Sequence, residues 1–112
     1  MKNVKNLKIY IKALELTVKV YQLIKNNKLL EKDFSLCDQL KRAAISVPTN
    51  ISEGYARSRK QFKNYLEIAK GSANEMVTLL VIVELVYKIN TNHLQDEYDY
   101  LAKQITSFSN SF

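Results

Sequence analysis

Apolar residues recur with the period of an α-helix in four successive segments of this 112-residue chain. The chain contains only two glycines and one proline, far fewer turn-forming residues than a β-sandwich or an α/β protein of this length needs. Short polar connections between amphipathic helices favour antiparallel neighbours. The pattern therefore predicts an all-α fold, an antiparallel up-and-down four-helix bundle that forms one domain over residues 1–112.

The limits of the four helices follow from their capping residues and from the proline. The first helix is predicted over about 4–27. The second should begin at Ser35, a suitable N-cap, and should kink or break at Pro48, which removes a backbone donor and clashes with a carbonyl. The third is predicted over about 59–89, with the small residues Gly71 and Ser72 midway, which permit close approach of a neighbour. The fourth should begin at the N-cap Asn92.

The first and third helices are apolar around an unusually wide arc. On the first, one face contains Leu7, Ile11, Leu14, Val18 and Tyr21, and the arc is extended by Ile9, Ala13, Leu16, Val20 and Leu23. A helix this apolar packs against more than its own bundle partners. Because a single protomer would expose a larger apolar patch than monomers normally do, we expect a homo-oligomer.

Residues suited to catalysis or to metal binding are scarce. Cys37 and His93 are the single cysteine and the single histidine, so the usual zinc sites and the carboxylate-histidine di-metal sites cannot form. No phosphate-binding glycine loop is present. We therefore expect no cofactor and no enzymatic activity, and a carboxylate enzyme using Glu53, Glu67 or Glu75 is the least favoured hypothesis.

Cellular location is predicted from the cysteine content and from the hydropathy pattern. One cysteine permits no internal disulfide, and no apolar run follows a basic start, so a reducing, cytoplasmic setting is expected. The most apolar stretch, residues 76–86, is too short to span a bilayer. We therefore expect no membrane association.

The net charge of +6 is concentrated near the amino terminus, where residues 1–34 carry eight lysines against three acids. Several of these lysines share one side of the first helix, and a second basic group with aromatic neighbours surrounds the turn between the second and third helices. Basic residues near aromatic rings can contact phosphates and bases. The predicted nucleic-acid-binding residues are Lys5, Lys8, Lys12, Lys19, Arg57, Arg59, Lys60 and Lys63.

Polar residues also form a stripe along the second helix, at spacings of three and four residues. The stripe comprises Gln39, Arg42, Ser46, Asn50, Glu53 and Arg57. It could be a binding strip, but we favour a structural hydrogen-bonded network between helices or subunits. Such a network would also satisfy backbone groups that Pro48 leaves without a partner.

Residues 38–75 resemble one bacterial family. The segment 39–54 reads Q-x-x-R-A-x-x-S-x-P-x-N-I-x-E-G and is followed by Phe62, Leu66, a Gly-Ser pair and Glu75. This pattern is similar to that of the four-helix bundle proteins of the 23S rRNA intervening-sequence type. These are related to the accessory variability determinant of diversity-generating retroelements. The motif assigns no catalytic role to its residues.

The resemblance implies a four-helix protomer that assembles as a homopentamer. It also implies a basic surface that engages nucleic acid and, in the retroelement branch, a reverse-transcriptase partner. The acidic fourth helix departs from the more strongly basic retroelement proteins. Together with the residues, the resemblance predicts a non-catalytic, basic, oligomeric protein that associates with RNA or DNA. The alternative is a protein-interaction scaffold with no direct nucleic-acid contact, in which the charge serves solubility.

Overall fold

A computed structural model describes residues 3–112. In this range the chain forms one turn of 3-10 helix and five α-helices, and no strand. The 3-10 turn is Val4–Asn6, and the helices are α1 (Lys8–Lys25), α2 (Lys28–Glu31), α3 (Phe34–Tyr55), α4 (Arg59–Tyr87) and α5 (Asn92–Ser109).

The four long helices form an elongated bundle of 44 × 20 × 20 Å. Helix α1 packs against α3 and α5, and α4 packs against the same two helices, so α1 and α4 lie across the diagonal. Neighbours are antiparallel: Ser46 of α3 bonds Ser72 of α4, whereas Gly54, further along α3, meets the earlier Tyr65 of α4. The predicted all-α, up-and-down four-helix bundle is confirmed.

The starts of α1, α3 and α5 differ from the predicted positions. Leu7 is extended, with φ −75° and ψ 126°, and separates the 3-10 turn from α1. The N-cap of α3 is Asp33 and not Ser35, because the Asp33 carboxylate accepts the Leu36 amide hydrogen at 3.1 Å. Asn92 lies inside α5, and Thr91 occupies the N-cap position.

Helix α3 continues through Pro48 to Tyr55 without a break. Proline has no amide hydrogen, so the carbonyl of Ala44 loses its usual helical donor. The hydroxyl of Thr17 on α1 lies 3.3 Å from this carbonyl oxygen and also donates to its own Ala13 carbonyl at 2.8 Å. The single hydroxyl hydrogen of Thr17 is therefore shared between the two carbonyls, so that α1 partly replaces the missing donor, whereas the polar stripe of α3 is predicted to do so.

The buried side of α1 is only part of its predicted apolar arc. The fully or nearly fully buried residues are Ile9, Ala13, Leu16, Val20 and Ile24. In contrast, the side chains of Ile11, Leu14, Val18 and Tyr21 are 41–55% exposed. The bundle therefore uses one side of α1 and leaves an apolar side uncovered on the protomer.

The two glycines lie in different environments. A Cβ at Gly54 would lie 2.6 Å from the Cβ of Tyr65, closer than such atoms approach, so α3 and α4 make their tight contact there. A Cβ at Gly71 would have no neighbour within 4 Å. The predicted close approach at 71–72 therefore does not involve Gly71, although the adjacent Ser72 hydroxyl bonds Ser46 at 2.8 Å.

No helix in the described range is both long enough and apolar enough to cross a bilayer.

Candidate nucleic-acid interface

The antiparallel topology brings most of the predicted basic residues to one end of the bundle. The start of α1, the end of α3 and the start of α4 meet at this end, and the 3-10 turn contacts α3 there. We call the basic residues at this location the cationic end: Lys5, Lys8, Arg57, Arg59, Lys60 and Lys63. All six are exposed except Lys63, which is half-buried.

Lys12 and Lys19 lie further along α1 and bind a carboxylate of the neighbouring helix. Glu97 of α5 accepts from Lys12 Nζ at 2.7 Å and from Lys19 Nζ at 3.0 Å. The exposed imidazole of His93 lies 3.3 Å from the same carboxylate. The structure therefore separates these two lysines from the cationic end, since their charges are already engaged within the bundle.

Burial alone would raise the pKa of Glu97, because its side chain is only 12% exposed. The hydrogen bonds from Lys12 and Lys19 outweigh this effect and hold the pKa of Glu97 below its ordinary value. The same hydrogen bond raises the pKa of Lys12. Each partner therefore stabilises the charged form of the other, and the pair bridges α1 and α5.

At the cationic end, positive side chains lie over aromatic rings. The Arg59 guanidinium is 5.8 Å and the Lys63 ammonium 5.3 Å from the ring centroid of Phe112, and the Arg57 guanidinium is 5.1 Å from that of Tyr65. Such cation–π contacts hold the charges at defined positions on the surface. Arg57 also bonds the Glu53 carboxylate at 2.9 Å, and this bond raises the pKa of Arg57.

The aromatic rings beneath these cations pack on one another. Phe62 stacks on Phe112 with centroids 5.5 Å apart, and it makes edge-on contacts with Tyr55 at 5.8 Å and Phe108 at 5.9 Å. These rings come from α3, α4, α5 and the segment after α5. They form a small apolar cluster at this end of the bundle, and the basic residues lie around it.

The polar stripe of α3 divides into separate contacts. The Ser46 hydroxyl bonds Ser72 at 2.8 Å and accepts from the Asn50 amide at 2.9 Å, which links α3 to α4. Arg42 pairs with Asp38 at 2.8 Å at the exposed surface. Glu53 pairs with Arg57 as described above. Gln39 has no side-chain hydrogen bond to any residue from 3 to 112. Of the predicted stripe, only the centre, Ser46 with Asn50, forms a hydrogen bond to a second helix within the described range.

Within residues 3–112, no three metal-ligating side chains cluster. Cys37 is buried, and its thiol donates to the Leu30 carbonyl at 3.0 Å. Burial raises the pKa of Cys37, which disfavours the nucleophilic thiolate.

Two features of this region escaped the sequence reasoning. The sequence did not predict that Glu97 accepts from the lysines of α1. The signal that could have identified it is the opposite charge of the first and fourth helices. The contact of Phe112 with Arg59 and Lys63 was not predicted either, because it depends on how the segment after α5 packs against α4.

Both the sequence and the fold of this chain match known proteins. The structure is similar to the crystal structure of a protein of unknown function from the S23 ribosomal protein family of Bacteroides thetaiotaomicron VPI-5482. The TM-score is 0.81 at 28% sequence identity, over 90% of this chain and 97% of that one. No curated protein sequence matches the chain. The family model for the 23S rRNA-intervening sequence protein matches residues 5–111, nearly the whole chain and not only the motif at 38–75. The chain therefore belongs to the 23S rRNA-intervening sequence protein family.

Proposed function

We propose that this protein binds nucleic acid without catalysing a reaction on it, and that the cationic end contacts the phosphate backbone. The observation that carries this proposal is the convergence of six basic residues from three separate segments on one end of the bundle. A cluster of like charges raises the local concentration of a polyanion and accelerates its association.

The charges at this end are largely available to a ligand. Among the described residues, Lys5, Lys8, Arg59, Lys60 and Lys63 form no ion pair with a carboxylate, and Arg57 pairs only with Glu53. In contrast, Lys12 and Lys19 are bound to Glu97. We therefore assign the phosphate contacts to the cationic end and give Lys12 and Lys19 a structural role between α1 and α5.

The relatives support RNA as one ligand to test. The family is named for an intervening sequence of 23S rRNA, and the similar crystal structure comes from a family named for a ribosomal protein. Both names refer to ribosomal RNA or to the particle that contains it.

Gel-shift or fluorescence-anisotropy titrations with RNA and DNA probes test the proposal. The triple variant Arg59→Gln, Lys60→Gln, Lys63→Gln removes three charges from the cationic end. Its affinity should fall at least about tenfold, and the slope of log K against log salt should shrink by about two to three, since each lost phosphate contact releases about one counterion fewer.

The matched control removes three exposed charges from the opposite end. The variant Lys25→Gln, Lys28→Gln, Lys32→Gln has the same net charge as the first and should bind within about threefold of the parent protein. Equal losses in the two variants would mean that only net charge matters and would reject the assigned site. If the parent protein bound neither probe in low salt, the scaffold alternative would replace the proposal.

We also propose that the protein acts as a closed homo-oligomer, and the apolar surface supports this. The α1 apolar face comprises Ile11, Leu14, Val18 and Tyr21, and the α4 apolar face comprises Val81, Ile82, Leu85 and Val86; every one of these residues is 37–64% exposed. The two faces are unlike and lie on helices across the diagonal. Contact between unlike faces propagates head to tail, and it closes into a ring when the rotation between neighbouring subunits divides a full turn. The number of five subunits comes from the family resemblance.

A further inference from the structure

We infer that the cationic end binds double-helical nucleic acid in preference to single strands. This inference rests on the proposed function and adds the class of ligand. It follows from the state of the aromatic rings at this end. Proteins that prefer single strands combine basic residues with aromatic side chains on which unpaired bases stack. At the cationic end aromatic residues are present, but other groups of the protein lie against the rings of Phe62, Tyr65 and Phe112.

Phe112 illustrates the occupancy. The ring stacks on Phe62, with centroids 5.5 Å apart and planes inclined by 23°. The Arg59 guanidinium and the Lys63 ammonium lie 5.8 and 5.3 Å from its centroid. A base could stack here only by displacing an arginine or a lysine, that is, by removing a charge that attracts the phosphates.

Two further rings at this end, those of Phe62 and Tyr65, are occupied in a similar way. Phe62 is only 8% exposed and is enclosed by Tyr55, Phe108 and Phe112. The Tyr65 ring has the Arg57 guanidinium 5.1 Å from its centroid. The cationic end therefore presents positive groups to a ligand where a stacking surface would present ring faces.

Exposed aromatic residues elsewhere do not supply a stacking surface for a polyanion. Tyr100 is 62% exposed and lies near Lys8, but the groove that it lines contains three carboxylates, of Glu15, Asp96 and Glu97, against the two lysines Lys8 and Lys12. This excess of acids disfavours a phosphate there. Tyr21 has the Lys41 ammonium 5.2 Å from its ring, and Phe34 lies at the opposite end of the bundle, at the start of α3.

Without stacking, affinity comes from counterion release, which favours the polyanion of higher charge density. The slope of log K against log salt is about −0.9 per phosphate contact for a duplex and about −0.7 for a single strand. With about six contacts, this difference corresponds to roughly tenfold tighter duplex binding near 0.1 M salt, if the two affinities are equal near 1 M. Stacking, worth about 1–3 kcal/mol per base, would reverse the order.

The test compares four labelled probes of equal length: duplex RNA, duplex DNA, and single-stranded RNA and DNA of a sequence that does not self-pair. Anisotropy titrations of the full-length protein should give roughly tenfold tighter binding to each duplex than to its single strand, with the steeper salt slope for the duplex. The Phe112→Leu variant removes a ring that lies beneath Arg59 and Lys63 but removes no charge, so it should change the affinities for a duplex and for its single strand by the same factor.

Equal or tighter binding of the single strands would overturn the inference. So would a Phe112→Leu variant that loses affinity for the single strands but keeps its affinity for the duplexes. In either case the charges still bind nucleic acid, so the proposed function would survive. If none of the four probes bound in low salt, the proposed function would fail together with this inference. A difference between the RNA and DNA duplexes would identify the helical form that the cationic end prefers and would leave the preference for a duplex in place.

Discussion

The two glycines of this chain lie on adjacent helices, and their replacement by alanine should change the stability of the fold in opposite directions. Gly54 is buried in α3 where Tyr65 and Phe62 of α4 approach its Cα, and a side chain has no space there. Gly71 lies on the exposed side of α4 and has open space around it. In a helix, glycine costs about 0.5–1 kcal/mol relative to alanine. Only Gly54 offsets that cost, through a close contact between helices.

The variants Gly54→Ala and Gly71→Ala form a matched pair, since each adds one methyl group to a helical glycine. Gly54→Ala should destabilise the protein by about 1–3 kcal/mol, because the new Cβ would have to move Tyr65 or Phe62. Gly71→Ala should stabilise it by about 0.5–1 kcal/mol through helix propensity. Urea unfolding followed by circular dichroism measures both, and a stabilised Gly54→Ala would contradict the proposed close contact.

At the scale of elements, ion pairs join α1 to α5. Glu97 of α5 holds Lys12 and Lys19 of α1, which are one heptad apart. The opposite pair, α3 and α4, is joined by buried apolar residues and by the Ser46–Ser72 hydrogen bond. Because ionisation controls the first contact and not the second, acid should weaken the bundle between α1 and α5.

The variant Glu97→Gln should lower the free energy of unfolding by about 1 kcal/mol near neutral pH, since both lysines lose their charged partner. The folded-state pKa of Glu97 is lowered, so its stabilisation is complete above the unfolded-state value near 4.5 and is lost as pH falls through the folded-state value. The difference between parent and variant should therefore be smaller near pH 3 than near pH 7.

Asp99→Asn is the control for this prediction, because it breaks an exposed pair with Lys103 on the same helix. That variant should change stability by less than about 0.5 kcal/mol. Urea unfolding at the two pH values measures both variants. A constant difference between parent and Glu97→Gln at both pH values would show that the carboxylate acts through packing and not through its charge.

At the scale of the whole molecule, the protomer buries one side of α1 and leaves two unlike apolar faces exposed. Val18 on the α1 apolar face is 55% exposed and Leu85 on the α4 apolar face is 64% exposed. If these faces meet between subunits, each interface takes one face from each partner. A change on either face should then interrupt every interface of the ring.

Light scattering should find a particle several times the 13.0 kDa of one chain. Val18→Lys or Leu85→Lys alone should reduce it to a single subunit, whereas Ser107→Lys on the exposed side of α5 should have no effect. A mixture of Val18→Lys and Leu85→Lys subunits retains one intact pair of faces and should form two-subunit particles only. A monomeric parent protein, or a mixture that remains monomeric, would contradict head-to-tail assembly.

The sequence by itself determined the four long helices and the antiparallel bundle, because the period of apolar residues and the scarcity of glycine and proline are local properties of the chain. It also determined which residues are basic and placed the family motif. The resemblance drawn from residues 38–75 extends over residues 5–111. Even the missed limits at Ser35 and Asn92 differ from the observed N-cap positions by two residues or fewer.

Only the tertiary structure decided how these residues are used. Ile9 and Leu16 lie in the core whereas Ile11 and Val18 are exposed, because the orientation of α1 depends on its neighbours. Packing also brings Thr17 to the Ala44 carbonyl, which lacks a donor because of Pro48. It brings Glu97 to Lys12 and Lys19. Each of these contacts joins residues 27 or more positions apart in the chain. A periodic pattern records the side of a helix, whereas the partner on that side is determined by packing.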